Sequence, residues 1–110
     1  MDKLVQRLSE GDHPIVAGGP MPSVEQLQQS IDRGYVHIKF TATQGGTDLG
    51  MVLDAEASDT SEADFAEGTG SVHLEGTLTL NYVRVRCIAD LDLATLQGTG
   101  HLVIVEEVGP

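Results

Sequence analysis

Leu74-Glu75-Gly76-Thr77-Leu78-Thr79-Leu80-Asn81-Tyr82-Val83-Arg84-Val85-Arg86-Cys87-Ile88-Ala89-Asp90 decides the architecture. Strand side chains alternate between two faces. Folding this stretch about Asn81-Tyr82 sets Leu80 against Val83, Leu78 against Val85, Gly76 against Cys87 and Leu74 against Ala89. One face is then apolar or small throughout, as a half-buried antiparallel hairpin demands. A turn at Glu75-Gly76 fails the same test, because it opposes Val72 to Thr79 and Leu74 to Thr77. Asn suits the first turn position, but Tyr at positive φ is costly, which argues for a turn wider than two residues.

Working outward, a turn at Gln97-Gly98 pairs Leu93 with Leu102 and Leu91 with Ile104. Residues 71–106 therefore read as a three-stranded meander whose long central strand, about 83–93, is bent or bulged. Upstream, Tyr35–Thr43 and Thr47–Asp54 alternate in the same way. Gly45-Gly46 between them offers the positive φ of a tight turn. That turn pairs Ala42 with Leu49, Phe40 with Met51 and Ile38 with Leu53.

One helix is expected over residues 23–33. Ser23 can cap the amide of Gln26, Val24, Leu27 and Ile31 recur at helical spacing, and Gly34 follows Arg33 as a stop. Residues 2–10 suit a short helix with Leu4, Val5 and Leu8 on one face, and His13–Pro22, rich in Gly and Pro, reads as loop. The whole chain, 1–110, is thus one domain: 1–22 as a short helix and Gly/Pro loop, and 54–70 as an acidic loop. The fold class is α+β. One capped helix packs on an antiparallel sheet of about five strands, a hairpin plus a three-stranded meander. A curved half-barrel or small sandwich suits the long central strand.

The chain has 110 residues and a formal net charge of −11, with 6 Lys and Arg against 17 Asp and Glu. Such a surface repels phosphate backbones and anionic membranes, so neither nucleic acid nor a membrane is an expected partner. Cys87 is the single cysteine, so no internal disulfide forms. With a charged N-terminus lacking an apolar leader core, this points to the cytoplasm. Cys87 falls on the apolar side of its strand, as a buried thiol rather than a nucleophile.

Several constellations are candidates for chemistry. His37, His73 and His101 lie on the outer face of their strands and are the candidate metal ligands. The registers set His37 against Asp54, His73 against Asp90 and His101 against Ala94, which favours separate surface histidines. Arg84 and Arg86, with His73, are the candidate ligand-binding residues, since two guanidinium groups two apart can clamp an anion. The acidic run Asp54, Glu56, Asp59, Glu62, Asp64 and Glu67 lacks the spacing of a calcium loop. It suits a solvated segment, anchored by Phe65.

No Gly-x-Ser-x-Gly elbow, phosphate loop or nucleophile–base–orienter set occurs, so no cofactor and no catalysis are expected. Val52, Tyr82, Ile88, Val103 and Val105 fall on the outer face and make it partly apolar, as candidate interface residues. The leading reading is a small, acidic, soluble accessory or interaction protein that self-associates as a homodimer or binds a protein partner. One alternative is a small-molecule or metal-binding β protein, or an enzyme, with its pocket inside the curved sheet. The other is an acidic mimic that occupies a basic protein surface.

Overall fold

The computed structural model describes residues 1–109. In chain order the elements are α1 (Lys3–Leu8), β1 (His13–Ala17), α2 (Val24–Arg33), β2 (Tyr35–Phe40), β3 (Thr47–Leu53), β4 (Ala63–Asp64), β5 (Thr69–Leu80), β6 (Val83–Asp92) and β7 (Gln97–Glu107). The strands run in the order β3-β2-β1-β7-β6-β5-β4, each neighbouring pair antiparallel, and β3 pairs back onto β5. That last pairing closes six strands into a barrel and leaves β4 as a short flap on β5. The class expected from sequence fits coarsely. The strand number does not: there are seven rather than five, and the sheet closes rather than stopping at a half-barrel.

The Asn81-Tyr82 hairpin has the expected register, from Leu80↔Val83 to Leu74↔Ala89 and on to Ser71↔Asp92. Its turn is not wider. Asn81 and Tyr82 take φ of 49° and 64°, the left-handed pair that matches strand twist in a two-residue hairpin. Ten residues of matched pairing on either side outweigh the cost of Tyr at positive φ.

The other two turns moved. In β2–β3 the pairs are Val36↔Met51, Ile38↔Leu49 and Phe40↔Thr47, so the connection spans Thr41–Gly46. Gly45 and Gly46 do adopt positive φ, and Thr43 Oγ1 meets Thr47 Oγ1 at 2.7 Å across the loop. The slip is an even number of residues, so each side chain kept its face. In β6–β7, Gln97 opposes Asp92 and Gly98 opposes Leu91, so the turn is Leu93–Leu96, with Leu96 at φ 57°. Gly98 and Gly100 are strand glycines. A Cβ on Gly98 would overlap the Asp90 carbonyl, and one on Gly100 would lie 2.8 Å from the Ile88 carbonyl oxygen. Glycine there marks close strand approach rather than a turn. The irregularity expected in the central strand falls instead on β7: Arg84 and Val85 pair with Glu106 and Ile104, and Val105 is the extra residue.

β1 lies within the segment read as loop, and Ile15 and Ala17 are buried. Pro14 lacks an N–H, yet the strand pairs with both β2 and β7 and so completes the wall. The helices close opposite ends of the barrel rather than covering a sheet face. Arg7 of α1 donates to the Ala42 carbonyl at 2.7 Å beside the β2–β3 turn. α2 begins where Ser23 Oγ accepts from the Gln26 amide at 3.0 Å, and stops at Gly34, φ 79°. It then leads directly into β2. Leu27 joins the core, with Ile31 packed against it. Inside, Ile15, Val36, Ile38, Phe40, Met51, Leu74, Val85, Leu91 and Leu102 fill the barrel. The interior therefore holds side chains, and the pocket expected within the curved sheet is occupied by them.

Candidate functional site on the outer wall

The register places Tyr35, Val52, Thr77, Arg86 and Val103 side by side across β2, β3, β5, β6 and β7. All five point outward. Tyr35, Val52 and Val103 are exposed, as are Val105 at the bulge and Tyr82 at the adjoining turn. Val52 retains 59% of its surface and Tyr82 63%, far more than an aliphatic or aromatic side chain keeps in a covered wall. Ile88, the remaining candidate interface residue, is half-buried between Glu75 and His101 and contributes less. A turn at Gln97-Gly98 would oppose Val103 to Asp92 and Val105 to Asp90. The structure puts Val103 opposite Arg86 and leaves Val105 without a partner.

A ladder of charges runs beside this row. Arg86 donates from Nη2 to Asp54 Oδ2 at 2.7 Å and from Nε to Glu75 Oε1 at 2.8 Å. The other Glu75 oxygen meets His73 Nε2 at 2.7 Å, and His73 Nδ1 meets Asp90 Oδ1 at 2.7 Å. A neutral imidazole has one N–H, so only the imidazolium can donate to both carboxylates. Hydrogen bonding to Glu75, then to Asp90, accordingly raises the His73 pKa above its ordinary 6.5. His73 and then Arg86 hold the Glu75 carboxyl below the usual range, and Arg86 does the same to Asp54.

The acidic segment after β3 is laid along β5 by the backbone. The Asp54 amide donates to the Glu75 carbonyl at 2.8 Å, and Asp59 and His73 exchange amide–carbonyl bonds of 2.8 and 2.9 Å. Ser58 Oγ accepts from the Glu75 amide at 3.0 Å. Within the segment, Asp54 Oδ1 accepts from the Glu56 and Ala57 amides and Asp59 Oδ1 from Ser61. These short-range caps make turns out of what composition alone marks only as solvated acid.

The three candidate metal ligands do not converge. His37 faces Asp48 at 3.3 Å, His101 faces Asp12 at 3.2 Å, and His73 belongs to the ladder. His37 opposes Gly50 rather than Asp54, and His101 opposes Ile88 rather than Ala94. Among the described residues no group of three or more His, Cys, Asp or Glu could hold a metal ion. Arg84 and Arg86 do not form a clamp either: Arg84 pairs with Glu106 at 3.6 Å, while Arg86 is engaged by Asp54 and Glu75. Burial pushes the Cys87 thiol up to about 12, which removes it as a nucleophile.

Three features escaped the sequence. Asp48 accepts from the Gly19 amide at 2.9 Å and so pins the loop after β1. A cleft of about 160 Å³ lies between that loop, α2 and β2, lined by Gly18, Pro20, Leu27, Ser30, Arg33 and Tyr35 among others. Both depend on β1, which the Gly and Pro content of its surroundings concealed. The Asp54–Arg86 pair also escaped, since it joins residues across β5 that no hairpin register relates.

Residues 23–109 match the model of a family described as "Core binding factor beta subunit". The match runs from the cap of α2 through β7 and so takes in the whole outer wall. It fits an accessory protein that works by binding another protein. No curated protein matches the chain.

Proposed function

The chain belongs to the core binding factor beta subunit family, and from that premise we propose that it is a small, acidic, soluble accessory subunit without catalysis of its own. It docks a partner protein through the wall formed by Val52, Val103, Val105 and Tyr82, with Arg86 at the centre. The observation that carries this reading is the row from Tyr35 to Val103. Its ends, Tyr35 with Val52 and Val103, are exposed and apolar, Thr77 and Arg86 between them are half-buried, and the row runs unbroken across the strands of the closed barrel. Interfaces favour such a composition: an apolar centre with Tyr and Arg, ringed by charge. The net charge of −11 favours a partner whose rim is basic. The lone Cys87 suits a reducing compartment such as the cytoplasm.

The experiment is native mass spectrometry of the tagged chain purified gently from its own cells, alongside the double variant Val52→Asp, Val103→Asp. Both positions are exposed, so the variant keeps its circular dichroism spectrum and loses the co-purifying protein. A doubled mass that disappears in the variant assigns the same wall to a second copy of the chain, the homodimer reading. Retention of the partner by a folded variant refutes the assignment of the wall.

A further inference from the structure

β3 and β5 close the barrel through Val52↔Thr77 and Leu53↔Gly76 only, whereas β5 pairs with β6 along its length from Ser71 to Leu80. This is the shortest seam in the closed wall. Immediately past it the chain leaves the sheet at Asp54. Arg86 reaches from β6 over β5 to that carboxylate and holds Glu75 on the way. One guanidinium therefore spans β6, β5 and the exit of β3. Glu75 in turn is oriented by His73, and His73 by Asp90.

We propose that Arg86 and His73 form a proton-gated latch on this seam, and that the segment 54–64 with the end of β3 opens as a unit when His73 loses its charge. The groups facing His73 are Glu75 on its own strand, Asp90 on β6 and Asp59 from the segment, with Arg86 and Asp54 joined through Glu75. With His73 protonated, two cations face four carboxylates. Without its proton, Arg86 alone faces them, and one of the two 2.7 Å bonds loses its donor. Besides the latch, the segment is held by the Asp54 amide and Ser58 on Glu75, by the Asp59–His73 bridge and by the two β4–β5 pairs at its far end. Asp59 and His73 form an isolated bridge rather than a strand pair, and the carboxylates in the segment repel one another. Opening would unseat Val52 and Thr77. Control of docking by the latch thus rests on the function proposed above, while the latch itself does not.

The sign follows from the direction of the shift. His73 has a raised pKa in the fold, so its contribution is complete below its ordinary 6.5 and is lost as pH rises through the folded value. The test is amide hydrogen exchange on the full chain between pH 6 and 9, corrected for the intrinsic rise of exchange with pH. The amides of Asp54, Asp59, His73 and Glu75 lose protection by about fivefold across the step, in line with one charge-assisted bond discounted for exposure. The amides of Val85 and Cys87 do not change. In His73→Gln the step vanishes and the segment stays at the loose level. Asp90→Asn, which keeps the His73–Glu75 bond, is the second variant should His73→Gln fail to fold, and it moves the step to lower pH. Unchanged protection in the parent overturns the latch, as does a step that survives His73→Gln or keeps its midpoint in Asp90→Asn. None of these readouts involves a partner, so failure of the latch and failure of the docking wall are told apart.

Discussion

Gly98→Ala and Gly50→Ala each add one methyl group where the fold leaves no room, and the structure predicts opposite outcomes. A Cβ on Gly98 would overlap the Asp90 carbonyl oxygen and lie 2.8 Å from its carbon and 3.0 Å from Leu91 Cα. All three atoms are backbone of β6, which is hydrogen-bonded on both sides. Relief requires β6 and β7 to separate locally. Overpacking of that kind costs about 1–3 kcal/mol, and each ladder bond lengthened past use adds about 0.5–1.5 kcal/mol. Restriction of the unfolded chain returns about 0.4–1 kcal/mol. The net loss is about 1–4 kcal/mol, or roughly 5–20 °C in melting temperature for a domain of this size. A Cβ on Gly50 would overlap the Tyr35 hydroxyl and lie 2.7 Å from Cζ. That obstacle is the far end of an exposed side chain, which rotates into solvent, so the change stays within about 0.5 kcal/mol of the parent, as for an ordinary surface substitution.

Urea unfolding of the two variants beside the parent measures the difference, with equal slopes required so that midpoints compare stability alone. If Gly98→Ala unfolds within about 0.5 kcal/mol of the parent, β6 and β7 do not approach as described and the register Leu91↔Gly98 is wrong. If both variants lose the same amount, the distinction between a backbone and a side-chain obstacle fails.

Two further outcomes follow from burial. Leu91→Ala removes a side chain that is 1% exposed inside the barrel and costs about 2–5 kcal/mol, while Leu78→Ala, at a half-buried position near the open turn, costs clearly less; equal losses in urea unfolding would contradict the packing. Cys87, with its thiol pushed up to about 12, resists iodoacetamide at pH 8 in the folded chain and reacts once the chain is unfolded in urea; rapid labelling of the native protein, followed by mass spectrometry, would refute its burial.

The parts of the fold that were legible in sequence share one property: local signals agreed with tertiary needs. Ser23, the 24–27–31 stripe and Gly34 mark α2 to within one residue, because capping is a contact between near neighbours. The Asn81-Tyr82 register was recoverable because every inward residue from Leu74 to Ala89 is apolar or small, and a slip by one would expose them all. Glycine misled twice. In β7 it answers to the β6 backbone and to Ile15, whose Cδ1 would lie 3.2 Å from a Cβ on Gly100, and alternation alone cannot tell that from a turn. In β1 the flanking Gly and Pro residues masked a five-residue strand whose partners lie far along the chain. The His73–Asp90 contact was foreseen because a hairpin register contains it. Barrel closure, and with it Arg86–Asp54, was not, since β3–β5 is a long-range pairing that neither strand announces.

The division of labour between the two faces of the wall explains why Arg86 is where it is. The inward residues of β6, Val85, Cys87, Ala89 and Leu91, are aliphatic or small and define the barrel. Of the outward ones, Arg84 and Asp90 are exposed and Arg86 and Ile88 half-buried, and none of them lies in the core. A cation at the centre of an apolar row would weaken docking if left unpaired, because a partner would have to desolvate it. On the docking wall proposed above, Arg86 held by Asp54 and Glu75 would meet a partner with both of its carboxylates already in place and its alkyl stem beside Val103. Replacing Arg86 with Met would keep the stem but leave Asp54 without its counter-charge and Glu75 with His73 alone. The same residue thus joins the integrity of the seam to the character of the docking wall, and substitutions there must be read for both effects.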